Sequence, residues 1–212
     1  MQLSFDDVLF FQAYGQQFGT PSTTAQQGLQ ALLQQVAIDP LNWDNPDQLA
    51  YAFATFKWET ANTFQPIHER GPVSYFSKYD AGTVIGNRLG NTQPGDGFLF
   101  RGRGYVQLTG RANYTKDGGI LGIDLVSDPD LALRPDVAYK IASRGMRDGW
   151  FTGHKLANHI PTGGAPDFVN ARRIINGLDH ADDIAGIARK FQIILKAGQI
   201  TPTPTTAAAT NS

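Results

Sequence analysis

The sequence predicts a mainly α-helical domain that carries one small β-hairpin. Apolar residues recur at three- and four-residue spacing in five separate stretches, the mark of a helix face turned to a core. Only Phe98 to Leu108 reads as strand, and the run leading into it, Gly71 to Asp96, is crowded with Gly, Asn, Ser and Tyr, including Gly90-Asn-Thr-Gln-Pro-Gly-Asp-Gly97. At 212 residues the chain is long enough for one sizeable core, or for one domain of two lobes around a cleft.

Ser4 followed by Asp7 predicts a first helix start, with Phe5, Val8 and Leu9 facing inward. Ala25, Leu29, Leu32, Leu33 and Val36 predict a second helix that ends before Pro40. Asn45-Pro46 caps a third, since proline is tolerated at the first helical position. Val137, Ala138, Ile141 and Ala142 mark another after Pro135, and Ile160-Pro-Thr-Gly-Gly-Ala-Pro166 is a loop between helical segments. Ile184, Ile187, Ala188, Phe191, Ile194 and Leu195 form the clearest amphipathic stripe. No internal repeat is present. Residues 1–200 form the expected domain, and 201–212, Thr, Pro and Ala followed by Asn211 and Ser212, have the composition of a disordered tail.

Composition excludes several classes of function. There is no cysteine, hence no disulfide framework, thiolate nucleophile or Cys-based zinc site. The formal charge of -1 gives no chain-wide basic field for nucleic acid or anionic membrane, and little general attraction to an acidic cell wall. No apolar run is long enough to span a bilayer, so stable membrane insertion is not expected. Met1-Gln-Leu-Ser-Phe-Asp-Asp7 lacks the basic and apolar regions of a secretory signal, which predicts synthesis in the cytoplasm and action on any wall only after release. His154 and His159 are five apart, off a common helix face, and His68 and His180 are isolated, so no metal site is expected. Arg101, Arg103 and Arg111 with Tyr105 and Tyr114 make only a weak nucleic-acid patch, because acids elsewhere cancel the charge and Arg-Gly pairs also serve tight turns.

The densest chemistry lies in Phe98-Leu-Phe-Arg-Gly-Arg-Gly-Tyr-Val-Gln-Leu-Thr-Gly-Arg-Ala-Asn-Tyr114, downstream of two acids ten residues apart: Glu59 in Lys57-Trp-Glu-Thr60 and Glu69 in Ile67-His-Glu-Arg-Gly71. Leu49, Ala52, Phe53, Phe56 and Thr60 share one side of the third helix and place Glu59 at the stripe's edge. Partial desolvation there favours a neutral carboxyl, as a general acid requires; a solvated glutamate near a helix end is the plainer reading. Glu69 lies past Pro66 and so faces Glu59 from another element, free to activate water or else paired with Arg70 or His68. Gln107 and Thr109 fall on alternate strand positions and share a face. With Asn113 they suit sugar hydroxyl and acetamido groups, or satisfy hairpin backbone and cap the next helix.

These motifs, in this order from about Leu49 to Tyr114 and again at Arg172-Arg-Ile-Ile-Asn-Gly177, resemble the family 19 glycoside hydrolases, which include chitinases and phage and bacterial peptidoglycan-cleaving lysozymes. The resemblance implies a lysozyme-like fold of two helical lobes with a small hairpin beside an open cleft. It implies Glu59 as general acid, Glu69 as general base and Thr109 as the holder of the attacking water, in an inverting reaction with carboxyls about 6.5 to 9.5 Å apart. Gln107, Asn113, Tyr105 and Asn176 become substrate-binding residues, Asn176 being readable alone as a helix cap before Gly177. No cofactor is implied, and a monomer is expected. The family's plant enzymes are usually disulfide-bonded, which this chain is not. They place an acid and an arginine beyond the Asn-Gly step to orient the catalytic acid; here Asp179 supplies a candidate acid while Ile184 stands near the arginine position. Trp58 replaces the family's usual histidine and either packs in the core or lines the cleft. Three functions follow: an endolysin-type muramidase cutting the β-1,4 bonds of peptidoglycan, a chitinase acting on N-acetylglucosamine polymers, and an inactive cell-wall glycan-binding module. Retention of both acids and Thr109 weighs against the third, and the short connections without cysteine favour the first over the second.

Overall fold

The computed structural model describes residues 3–43 and 45–200; the tail expected over 201–212 lies outside the described residues. The chain runs α1 (Asp7–Phe18), α2 (Thr23–Ile38), α3 (Pro46–Glu59), β1 (Ile67–His68), a 3-10 helix (Val73–Tyr79), α4 (Val84–Arg88), α5 (Asp96–Leu99), β2 (Arg103–Gly104), α6 (Arg111–Leu121), a 3-10 helix (Pro129–Leu133), α7 (Pro135–Asp148), α8 (Leu156–His159), α9 (Phe168–Ala171), a 3-10 turn (Arg172–Ile174) and α10 (Ala181–Gly198). This is the expected helical class with its small sheet.

The core is organised around α3. Asn45 caps it by accepting from the Asp47 amide, and every side chain from Leu49 to Phe56 is buried, so the expected apolar stripe is a helix enclosed on all sides. α10 lies along it and α1 packs on α10. Phe10, Phe53 and Phe191 join the three helices, with ring centroids 6.2 and 5.5 Å apart. Each buried ring contributes about 1.5–3 kcal/mol of transfer free energy. On the far side, Asp39 accepts from Tyr139 at 2.8 Å and from Arg147 at 3.0 Å, while the Trp43 indole donates to Tyr139 at 2.6 Å. That buried network ties α7 to the segment between α2 and α3.

Two expectations fail locally. Helix α1 is capped by Asp6, whose carboxylate accepts from the Leu9 amide, two residues past Ser4. The helix therefore turns Phe10, Ala13 and Tyr14 inward, leaving Val8 76% and Leu9 49% exposed. The Phe98–Leu108 strand does not form. Phe98 and Leu99 belong to α5, and the sheet pairs β2 with the distant β1 in antiparallel register, Ile67 opposite Gly104 and His68 opposite Arg103. After β2 the chain folds back at once: Leu108 donates to the Arg103 carbonyl at 2.8 Å, with Gly104 at φ 86° and Gln107 at φ 55°. A left-handed residue at 107 breaks the alternation, so the turn and not a strand brings the Gln107 and Thr109 side chains together over Gly102. The Gly- and Asn-rich run before it carries two short helices, Val73–Tyr79 and α4, which pack together as a small lobe.

Candidate active site

Glu59 is the last residue of the enclosed helix α3. Thr60 ends that helix, its hydroxyl donating to the Phe56 carbonyl and accepting from the Phe64 amide at 2.9 Å. The chain then reverses through left-handed Ala61, Asn62 and Phe64. Glu69 follows β1, and its amide donates to the Gly102 carbonyl at 2.7 Å, one step beyond the strand pairing. The two acids thus stand on separate elements and line one cavity of about 460 Å³ with Thr60, Ala61, Thr63, Ile67, His68, Arg70 and Gln107.

Each carboxylate is held by residues that the sequence alone did not single out. Arg172, only 4% exposed, donates to Glu59 Oε1 at 2.7 Å and, through Nε, to the Asp179 carbonyl at 3.0 Å. Glu59 keeps 19% of its side-chain surface open to the cavity. The orienting guanidinium therefore comes from before the Asn-Gly step rather than from near position 184, where Ile184 is buried in the core. Asp179 contributes its backbone and turns its carboxylate outward. Trp58 packs against the core and lies 4.8 Å from the His180 ring. Glu69 accepts from the Tyr79 hydroxyl at 3.2 Å and, more weakly, from the Gly102 amide at 3.4 Å. Neither His68 nor Arg70 forms an ion pair with it among the described residues. Burial and the neighbouring Glu69 charge both push the Tyr79 hydroxyl up, keeping it a donor at neutral pH.

Gly102 joins the base to the polar platform. A Cβ there would stand 2.8 Å from Gln107 Oε1 and 3.3 Å from Thr109 Oγ1, so both side chains crowd the residue whose peptide brackets Glu69. Thr109 donates to the Gln107 carbonyl at 2.8 Å, which leaves its lone pairs free for a water. Gln107 donates to the Ile67 and Gly104 carbonyls, and Asn113 to the Thr109 carbonyl at 2.8 Å. Their amide nitrogens therefore serve the backbone, and each turns towards an adjoining hollow of about 150 Å³ that Thr109, Phe151 and Ile175 also line. The N-cap of α6 is Gly110, with the Asn91 side chain accepting from the Arg111 amide, so Thr109 is not a cap. Asn176 is exposed and accepts from the Gly177 amide at 2.9 Å, beside Ile175.

Tyr105 does not belong to the site. It is 1% exposed and packs on Phe56 at 4.9 Å, and burial pushes its hydroxyl well above the ordinary range. Arg103 and Arg111 are likewise structural. Arg103 is buried against Asp130 at 2.8 Å and three oxygens of the platform, and Arg111 grips buried Asp96 at 2.6 and 2.7 Å. His154 and His159 do meet, at 3.1 Å between ring nitrogens, because α8 begins between them. No group of three or more potential metal ligands is found among the described residues, and no described helix is long and apolar enough to cross a membrane.

Known proteins share stretches of sequence and the fold with this chain. No protein-family model matches the chain. Chitinase 8 of rice is 30% identical over 135 residues, 52% of this chain and 52% of that protein. A glycosyl hydrolase family 19 domain-containing protein of Haemophilus influenzae is 41% identical over 64 residues, 29% of this chain and 32% of that one. The chain thus aligns with about half or less of the curated relatives it matches. Among solved structures, chitinase C of Streptomyces griseus superposes with a TM-score of 0.61 at 22% identity, covering 90% of this chain and 78% of that one. A bacterial family 19 chitinase gives 0.56 at 22% identity, over 88% and 95%. Part of the chain is thus similar in sequence to family 19 glycoside hydrolases, and the chain has the fold of these bacterial chitinases.

Proposed function

We propose that the chain is an endolysin-type muramidase that hydrolyses the β-1,4 glycosidic bonds of peptidoglycan with inversion. The observation that carries a glycosidase reading is the placement of Glu59 and Glu69 on separate elements lining one open cavity, Glu59 held at one oxygen and Glu69 at Oε1 by Tyr79 and only weakly at Oε2 by the Gly102 amide. Arg172 takes Glu59 Oε1, which leaves Oε2 to carry the proton given to the glycosidic oxygen. Tyr79 takes Glu69 Oε1, which leaves Oε2, beside Gly102, to draw a proton from water. Thr109, with its lone pairs free, holds that water as it attacks the anomeric carbon. The sugar–oxygen bond breaks as the water adds from the opposite face, and the two carboxyls exchange protonation states.

A chitinase using the same groups on an N-acetylglucosamine polymer is the second reading, favoured by the rice and Streptomyces relatives that bear that name. The open cavity and the absence of stapled insertions support peptidoglycan, whose alternate sugars carry bulky ethers and peptides. Mass spectrometry of the products from purified sacculi separates the readings: reducing N-acetylmuramic acid ends are expected. Rapid chitin hydrolysis with intact sacculi would promote the chitinase, and no turnover of either would promote a binding module. Proton NMR in early turnover should show the inverted anomer, and a retained anomer would remove Glu69 and Thr109 from their roles.

A further inference from the structure

Charge is unevenly spread over this chain. Between Ile67 and Arg111 the sequence carries six Lys and Arg against three Asp and Glu, a formal +3, whereas the whole chain is -1. Two of the six, Arg103 and Arg111, are committed to Asp130 and Asp96. Arg70, Lys78, Arg88 and Arg101 have no ion-pair partner among the described residues.

Three of these four cluster at Glu69. Arg70 follows it in the chain and lines the same cavity. Lys78 precedes Tyr79, whose hydroxyl donates to Glu69, and Arg101 precedes Gly102, whose peptide brackets it. Aromatic faces hold the two outer cations without neutralising them. The Lys78 ammonium lies 3.5 Å from the Tyr75 ring centroid, and the Arg101 guanidinium 4.1 Å from that of Phe98. Phe76 links those rings, 5.1 Å from Tyr75 and 5.5 Å from Phe98, into one ledge along the rim. Tyr75 and Phe98 are both exposed, so the charges are presented to solvent on a rigid apolar support.

We propose that this ledge of Arg70, Lys78 and Arg101 binds carboxylates borne by the glycan and so selects an acidic wall polymer over neutral chitin. A neutral sugar chain offers three unpaired cations hydrogen-bond acceptors but no opposite charge, whereas a strand with a carboxylate on every second sugar offers one for each disaccharide. The proposal rests on the peptidoglycan reading above for its substrate, and it concerns selectivity, not bond cleavage.

The test is binding, measured calorimetrically in the E59Q background so that the ligand survives. Three ligands of matched length are compared: neutral N-acetylglucosamine oligomers, glycan strands stripped of peptide so that the lactyl carboxylate is free, and strands retaining their peptide carboxylates. The readout is the ratio of dissociation constants, in which any loss common to all ligands cancels. One exposed cation–carboxylate contact changes binding by up to about fivefold, so three should give an acidic preference of about tenfold or more at low salt. The preference should collapse at about 0.5 M salt, where screening is strong, and in R70Q/K78Q/R101Q, but persist in K140Q, a cation on α7 away from the rim. Whichever acidic strand shows the larger preference identifies the source of the carboxylate.

Equal binding of all three ligands, or an undiminished preference in the triple variant, overturns the proposal. Should the triple variant unfold, the charge reversal K78E on an exposed side chain must still weaken acidic binding relative to neutral. The functional reading fails separately. If the wild type cuts chitin and leaves sacculi intact while E59Q still prefers carboxylated strands, the muramidase reading falls and the ledge stands. If sacculi are cut but the triple variant keeps its preference, the ledge alone falls.

Discussion

Arg172→Met is the most discriminating perturbation of the site. The guanidinium is buried and makes two contacts, 2.7 Å to Glu59 and 3.0 Å to the Asp179 carbonyl, and methionine fills similar space without either. Breaking a fully buried pair costs about 3–5 kcal/mol, because one charge is left uncompensated. Glu59 retains 19% exposure to the cavity, which discounts that to about 2 kcal/mol, or a fall of about 4–8 °C in Tm for a chain of this length. The larger effect should be on turnover. Releasing Glu59 from a fixed rotamer misplaces the proton donor, and an error of about 1 Å costs about 10²-fold. Because Arg172 does not itself line the cavity and acts only on the Glu59 carboxylate, kcat should fall with KM nearly unchanged. Arg172→Lys should be intermediate, since a single ammonium cannot span both acceptors. A merely structural arginine would give the same Tm loss, so the decisive measurement is the double variant. If Arg172 acts through Glu59, R172M should slow an E59Q enzyme no further. An additive loss, or R172M with wild-type kcat, would refute the positioning role.

Four further outcomes follow from the same geometry. Glu59→Gln keeps a neutral acceptor for Arg172 but leaves that buried guanidinium without a counter-charge, so Tm should fall by several degrees with the fold kept, while turnover drops about 10²- to 10⁴-fold; Glu69→Gln should be as damaging to turnover, with partial rescue by azide in place of the activated water, and retention of most activity in either variant would remove that residue from its role. Gly102→Ala should displace Gln107 and Thr109, whose side chains lie 2.8 and 3.3 Å from the new Cβ, and lower kcat about tenfold with little change in Tm; unchanged kcat would show that the platform tolerates the shift. The Arg111 guanidinium holds the Asp96 carboxylate below its usual range, so this pair stabilises the fold above the unfolded carboxylate value of about 4 and loses that contribution as pH falls through the lower folded value. Arg111→Gln should therefore cost about 3 kcal/mol at pH 7 and flatten the acid limb of the Tm–pH curve; parallel curves would contradict the assignment. Truncation after Ile200, whose amide donates to the Ser4 carbonyl at 2.9 Å, should leave turnover and Tm unchanged, and a lost activity would give residues 201–212 a function their composition does not announce.

What could be read in advance follows the range of the interactions involved. Helices α2, α3, α7 and α10 are declared locally, by apolar periodicity and, for α3 and α7, by Asn45 and Pro135 at their starts, and they form where the pattern places them. The expected start of α1 at Ser4 falls two residues before its actual cap, Asp6, and tertiary packing of Phe10 on Phe53 decides the phase. The sheet fails as a local reading because each strand has two residues and its partner lies more than thirty positions away, beyond what alternation within Phe98–Leu108 encodes. Tyr105, given to the substrate through the resemblance alone, is instead packed onto Phe56 by the turn after β2.

The acids and their supports divide in the same way. Glu59 and Glu69 are legible as a pair because Glu59 ends a capped helix before Thr60 and Glu69 lies past Pro66, where that helix cannot continue. Their supports arrive from elsewhere: Arg172 from 113 residues downstream, Tyr79 from within a run that reads as turn. One signal for Arg172 was available. An arginine at the edge of an apolar Ala171–Ile174–Ile175 step is set to be buried, and a buried guanidinium requires an anion. Asn176 drew the attention, but Arg172 is the residue that reaches the acid. The ledge at Glu69 was hidden differently. A charge of -1 summed over the chain conceals a +3 segment, because the compensating acids lie on other elements of the fold. Net charge describes how a protein meets its surroundings at distances beyond the Debye length, about 8 Å in physiological salt; a substrate seated within that length meets only the charges at the rim. For a cleft enzyme acting on a charged polymer, the local sum is the one that acts.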